Sequence, residues 1–74
     1  MIRYFVLIPK EELTEDMTSL FLSYRESYDN QYILGHIFVK DIPSIFNNYQ
    51  CLTTGKCAEL MNNNPELWIP EEIR

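Results

Sequence analysis

The amino-acid sequence predicts a small α+β fold, in which a two- to three-stranded sheet packs with two or three helices in the order β-α-β-α-α-β. Runs of β-branched and aromatic residues alternate with segments whose apolar residues recur at helical spacing, and this alternation indicates mixed structure. Hydrophobic residues make up 46% of the chain and charged residues 23%, as is typical of globular proteins. At 74 residues, the chain holds one core, so we expect residues 1–74 to form a single small domain.

The two clearest predicted strands cover residues 2–8 and 32–39. The first places aromatic and aliphatic side chains on both faces, which is typical of a strand inside a sheet rather than at its edge. Pro9 ends it, because proline cannot donate a ladder hydrogen bond. The second strand contains Gly35, which marks either a bulge or a close backbone contact.

A helix is predicted between these strands. Its apolar positions follow one helical stripe, namely Leu13, Met17, Leu20, Phe21, Tyr24 and Tyr28. Thr14 is a suitable N-cap, and a start near Lys10 fits equally well. The pair Asp29-Asn30 is typical of a turn and ends the helix. A strand, a helix and a strand in this order favour a crossover connection, which makes the two strands parallel.

A short second helix is predicted after the second strand. Asp41 followed by Pro43 is typical of a helix start, because an acidic cap precedes a proline in the first turn. The apolar positions that follow keep helical spacing, namely Ile42, Ile45, Phe46 and Tyr49.

Residues 50–61 fit two interpretations. Thr53 or Thr54 can cap a helix, or Thr54-Gly55 can turn a hairpin, and we favour the helix. Asparagines 62–64 and the following proline predict the end of that helix. Residues 67–69 are then a short third strand, and residues 70–74 are a tail or a final turn.

The charge balance excludes some partners. Eleven acids against six bases give a formal charge of -5, and the basic residues are scattered along the chain. This composition does not favour direct nucleic-acid binding or an anionic membrane surface. The longest uncharged apolar run is too short to span a bilayer, and the first residues lack a signal-peptide pattern, so we expect a cytoplasmic protein.

No catalytic or metal-binding motif is found, and we expect no enzyme activity, no metal and no cofactor. His36 is the only histidine and lies within a predicted strand. Cys51 and Cys57 have a spacing that is not typical of zinc sites, and we expect small half-buried thiols. A local disulfide in a hairpin is one alternative. Another is a thiol-dependent enzyme in which a cysteine meets His36.

Candidate partner-binding residues fall into an acidic and an aromatic group. The acidic group is Glu11, Glu12, Glu15 and Asp16. These carboxylates either complement a helix dipole on a solvated face or form a negative patch for a basic partner, extended by Glu71 and Glu72. The aromatic group is Tyr24, Tyr28 and Trp68, with Tyr32 as a possible extension. Trp68 either packs as a lid on the core or is an exposed anchor.

The function that these features favour is a small acidic protein-binding module, which acts by occupying a surface on a larger protein. In size, acidity and content of asparagine and isoleucine the chain resembles small phage or mobile-element proteins that inhibit host enzymes. This resemblance is one of composition and includes no motif. An alternative is a structural or self-assembling homodimeric subunit, closed through a free sheet edge or an aromatic stripe.

Overall fold

The computed structural model describes residues 1–66 and Trp68. In these residues a four-stranded, fully antiparallel sheet combines with two α-helices, so the α+β class is confirmed. The strands are β1 (Ile2–Pro9), β2 (Ser23–Glu26), β3 (Tyr32–Val39) and β4 (Gln50–Leu52). The helices are α1 (Glu15–Leu20) and α2 (Thr54–Asn63), and two 3-10 turns cover Lys10–Glu12 and Ser44–Phe46.

The strand order is β2-β3-β1-β4, which differs from the predicted topology. The prediction of two to three strands is wrong because β2 and β4 are additional to the two long strands. The prediction that β1 and β3 are parallel is also wrong, since they pair antiparallel along their whole length. The strand that runs parallel to β1 after α1 is β2, and β3 lies between them. The chain therefore does make a strand-helix-strand crossover, in its split form.

Both faces of the sheet are apolar, as the sequence of β1 predicts. On the face covered by α1, the core residues are Val6, Ile8, Met17, Ile37 and Phe46. On the other face, which α2 covers, they are Leu34, Leu52, Cys57 and Trp68. We call these the α1 face and the α2 face. Two layers of helix and turn thus enclose a central sheet.

Gly35 allows an aromatic ring to pack directly on the sheet. A Cβ atom at this position would lie 2.3 Å from two ring carbons of Phe21, well inside van der Waals contact. The Phe21 ring in turn stacks on Phe46, with ring centroids 5.4 Å apart. Of the two interpretations of Gly35, the close contact is therefore the one observed.

The first helix is much shorter than its apolar stripe predicts. Thr14 is the N-cap, and its Oγ1 accepts a hydrogen bond from the Met17 N–H at 3.3 Å. The helix ends at Leu20, where Phe21 turns to an extended backbone with ψ 139°. Tyr24 lies on strand β2 and Tyr28 in the following turn, so their place on a helical stripe is incorrect. Pairing with β3 decides this segment, because tertiary contacts override a weak helical preference.

In the later part of the chain, one predicted helix is present and another is absent. Helix α2 is present in the segment for which helix and hairpin were both considered, and Asn64 is its C-cap. The helix predicted after Asp41 is only the 3-10 turn Ser44–Phe46, and its N-cap is Pro43 rather than the predicted Asp41. Strand β4 pairs with β1, and a longer helix before β4 would prevent this pairing. Of the predicted strand at 67–69, Trp68 is not in a strand, and residues 67 and 69 lie outside the described residues, as do residues 70–74.

The two helices are also short. Neither of them, nor any other helix among the residues described, has the length and apolar character needed to cross a bilayer.

Candidate partner-binding surface

The four predicted carboxylates lie together in the chain segment between β1 and β2. Glu11 and Glu12 are on the first 3-10 turn, while Glu15 and Asp16 form the first turn of α1. All four residues are exposed. In α1 the two acids occupy the end where the helix dipole favours negative charge, so dipole complementation applies to them.

Two side-chain contacts hold this segment against the sheet. Lys10 Nζ is 2.7 Å from Glu26 Oε1, which ties the first 3-10 turn to the end of β2. The Tyr49 hydroxyl donates to Glu12 Oε1 at 2.8 Å, and this hydrogen bond raises the pKa of Tyr49. We call residues 11–16, which include the four carboxylates, the acidic segment. These two contacts fix it at the end of the sheet where β2 leads into β3.

The turn between β2 and β3 is closed by Asp29. Its Oδ1 accepts hydrogen bonds from the Ser27 hydroxyl at 2.6 Å and from the Gln31 N–H at 3.0 Å. These bonds, that from Ser27 above all, lower the pKa of Asp29. Asn30 adopts a positive φ of 60°, which asparagine tolerates better than most residues. The turn presents Tyr28 to solvent on a fixed backbone.

Large apolar side chains are exposed along β2 and on both sides of it. Their exposed fractions are 46% for Leu20, 67% for Leu22, 53% for Tyr24 and 50% for Tyr28. Single exposed apolar residues are normal, but a group of this kind in nine consecutive residues is typical of an interaction site. We call these four residues the β2 apolar group.

The β2 strand is also an edge of the sheet, and its backbone is open on one side. The Ser27 N–H donates to Tyr32 O at 3.0 Å, which makes Ser27 and Tyr32 a hydrogen-bonded pair. Because such pairs alternate in an antiparallel ladder, Arg25 also directs its backbone groups to β3. Tyr24 and Glu26 then point their N–H and C=O groups away from the sheet, and no residue in the described part of the chain pairs with them.

Trp68 does not belong to this surface. It is 2% exposed and packs in the core of the α2 face, and its backbone N–H donates to Asn64 O at 3.2 Å. The α1 helix covers the opposite face of the sheet. Trp68 is therefore a lid on the core, and its indole is not available to a partner. Glu71 and Glu72, proposed to extend the acidic patch, lie outside the described residues.

The α2 face carries a groove beside the helix. It has a volume of about 470 Å³, and its lining includes Phe5, Arg25, Leu34, His36 and Met61. The His36 ring stacks on Phe5 with centroids 5.0 Å apart, and its Nε2 is buried without a hydrogen-bond partner. This environment holds the imidazole as part of the packing.

The two cysteines are separated by the sheet. Cys51 packs with the core of the α1 face, whereas Cys57 is buried in the core of the α2 face. Both are free, so the local disulfide is not formed. Burial raises the pKa of both thiols, and the positive charge of Arg25 only partly opposes this for Cys57. At neutral pH the reactive thiolate is accordingly disfavoured.

A metal site built from both cysteines is not possible in this arrangement, because one ion cannot reach both faces. Among the residues that the structure describes, no group of three or more histidine, cysteine, aspartate or glutamate side chains is placed to hold a metal ion.

Sequence reasoning missed Leu20 and Leu22 as surface residues, because it assigned one to the helical stripe and gave the other no role. A signal for β2 was present in the alternation of Ser23-Tyr24-Arg25-Glu26 just before the Asp29-Asn30 turn, since a strand before a turn and a second strand after it is the pattern of a hairpin.

Comparison of the chain with protein-family models, with curated proteins and with solved structures gives no match.

Proposed function

We propose that this chain is a protein-binding module that attaches to a larger protein through β2 and the residues next to it. The observation that carries the proposal is the β2 apolar group, four large exposed side chains of which one lies on an open edge strand and three flank it in the chain. A folded chain gains nothing from exposing them to water, whereas a partner that covers them gains hydrophobic burial. Tyr24 and Tyr28 are residues of the type that contribute strongly at interface centres.

The charge of the chain favours a basic partner surface. The formal charge is -5, and the exposed carboxylates of the acidic segment lie at the end of the sheet that includes Glu26. Complementary charge speeds association and disfavours acidic competitors. By covering a surface of the larger protein, the chain would act as an inhibitor. We place this action in the cytoplasm, where both cysteines would stay as free thiols.

A second candidate is a homodimer formed through two β2 strands. The specific observation in its favour is the same open edge, because an unpaired strand is a ready template for a second copy. The negative charge of both chains opposes it. Sedimentation velocity over a range of concentrations decides between the two. A monomer at all concentrations removes the homodimer, and a dimer at micromolar concentration removes the basic partner as the main occupant.

The proposed function is tested by affinity capture from the native cells with matched variants. Leu22→Ser and Tyr24→Ser remove side chains of the β2 apolar group, and Ile2→Ser removes an exposed apolar side chain at the start of β1. We expect a stoichiometric partner with the native chain and with the Ile2 variant, and its loss with the other two. Capture that is equal for all four proteins, or no stoichiometric partner for the native chain, would refute the proposal.

A further inference from the structure

We propose that the partner binds by strand addition: an extended, basic segment of the partner pairs with the open edge of β2 and continues the sheet. This inference rests on the proposed function and adds to it the binding mode and the chemistry of the segment. Strand addition obtains affinity from main-chain hydrogen bonds and specificity from alternate side chains.

The backbone of β2 supplies the hydrogen-bonding groups. Tyr24 and Glu26 direct their N–H and C=O groups outward, as the Ser27–Tyr32 pair and the β2–β3 register require. An added strand can therefore form the same ladder with β2 that β3 forms on its other side. The order β2-β3-β1-β4 would gain one strand beyond β2 without any rearrangement of the core.

The edge lacks the protection that many edge strands carry. Edge strands are commonly guarded by proline, by lysine or by a bulge in mid-strand. The strand Ser23–Glu26 contains neither proline nor lysine, and its four residues pair in regular register with β3. The strand carries one base and one acid, Arg25 and Glu26, and Glu26 Oε1 is already paired with Lys10, so the preference for a basic segment comes mainly from the formal charge of -5 of the whole chain.

The side chains of β2 define what the added segment presents. Tyr24 and Glu26 lie on the α1 face, because they pair with Gly35 and Ile33. On that face, one side chain of an added strand would lie beside Tyr24. The side chain two residues along the added strand would lie beside Glu26. An apolar residue fits the first place, and at the second a lysine or arginine can share the Glu26 carboxylate with Lys10. The segment is thus predicted to alternate, with apolar and basic residues on one face.

A second copy of this chain fits the edge less well. Each copy carries a formal charge of -5, so the overall charge opposes a second copy and favours a basic partner.

The direct test is selection from a displayed library of random nine-residue peptides against the intact chain. We expect enrichment of positively charged sequences that alternate apolar and basic residues with neutral polar residues. Enrichment of acidic sequences, of apolar residues at helical spacing, or of no sequence at all would overturn the proposal. So would a dimer in sedimentation velocity whose formation depends on β2.

Backbone substitution of a selected peptide provides the sharpest control, because the protein is unchanged. N-methylation of the alternate residues that face β2 removes ladder donors, and we expect affinity to fall about tenfold or more. N-methylation of the intervening residues, which face solvent, should leave affinity within about twofold. Equal effects of the two methylation patterns would exclude strand addition.

Failure of strand addition can be told apart from failure of the proposed function. Glu26→Pro removes an outward N–H that the sheet does not use and leaves the Tyr24 ring in place, and Tyr24→Ser removes that ring. If capture of the native partner is lost with Tyr24→Ser but kept with a folded Glu26→Pro, the surface binds a partner by side chains alone, and only strand addition fails. If both variants keep the partner, the proposed function fails too.

Discussion

At the scale of single residues, the contact between Gly35 and Phe21 does most to determine how the first helix joins the sheet. Phe21 is the residue at which the helix ends, and its ring covers the glycine while it stacks on Phe46. A side chain at position 35 would push the ring away, and with it the start of β2. The course of the chain into the candidate site depends on this one missing Cβ.

We therefore predict that Gly35→Ala destabilises the chain by about 2 kcal/mol, because overpacking forces the Phe21 ring from its place. The control is Gly55→Ala in α2, where a Cβ meets nothing within 4 Å. That variant should stabilise the chain by about 0.5 kcal/mol, since alanine is the better helix former. Urea unfolding of both variants measures these effects. A neutral Gly35 variant would show that Phe21 does not pack on the strand.

Asp29 gives the stability of the turn a defined pH dependence. Its pKa in the folded chain lies below the ordinary value of 3.8, because Ser27 and Gln31 donate hydrogen bonds to the carboxylate. The resulting stabilisation is complete above pH 3.8 and is lost as the pH falls through the lowered folded pKa. We predict that Asp29→Ala is less stable than the native chain at pH 7 and that the difference shrinks below pH 4. Urea unfolding of both proteins across this range tests it, and a constant difference would contradict it.

At the scale of elements, the longest strands were predictable and the edge strands were not. The ranges of β1 and β3 follow from their own residues, because each carries apolar side chains for two covered faces. Strand β2 has four residues, and its stability comes from pairing with β3, which no local pattern expresses. Tyr24 and Tyr28 fit helical spacing with Leu20 only by coincidence, and this concealed the strand.

The prediction of a helix before β4 is wrong for a related reason. Ile42, Ile45 and Phe46 keep helical spacing, yet the chain makes only a 3-10 turn there. Their side chains pack on the core of the α1 face from a short irregular connection. Apolar spacing reports which residues are buried, and it does not determine how many helical turns join them.

Trp68 and Tyr24 illustrate two different roles of aromatic residues, in the core and on the surface. Trp68→Ala removes a buried side chain from the core of the α2 face and should cost about 3–5 kcal/mol. Tyr24→Ala changes an exposed residue of an edge strand and should cost no more than about 1 kcal/mol. Thermal unfolding compares the two. A Trp68 variant as stable as the native chain would show that the indole is exposed and can act as a surface anchor.

At the scale of the whole molecule, the chain is a sheet enclosed on both faces, with acidic turns at one end and an unpaired edge at β2. Exposure of the four acidic residues was predictable, because charged side chains are rarely buried. Tyr24 and Tyr28 were predicted as binding residues but on a helix, and Leu22 was not predicted, since its exposure depends on which strand forms the edge. Trp68 was grouped with residues that lie on the other side of the sheet.

The charge distribution predicts how association depends on the acidic segment. Glu11→Lys with Glu15→Lys changes the net charge from -5 to -1, because each substitution adds two units. Glu59→Lys with Glu66→Lys makes the same change at exposed positions in and after α2. We expect the first pair to slow association with the basic partner about tenfold at low salt, and the second pair to slow it less. Surface plasmon resonance at two salt concentrations measures this, and equal effects would mean that only net charge matters.

The most direct test of the account is amide hydrogen exchange of residues 22–27, measured by NMR on the free chain and on its complex. In the free chain we predict slow exchange for Arg25 and Ser27 and fast exchange for Tyr24 and Glu26, because only the former pair donates to β3. In the complex, Tyr24 and Glu26 should become protected as well. Continuous protection in the free chain, or fast exchange of Tyr24 and Glu26 in the complex, would contradict an open edge that receives a strand.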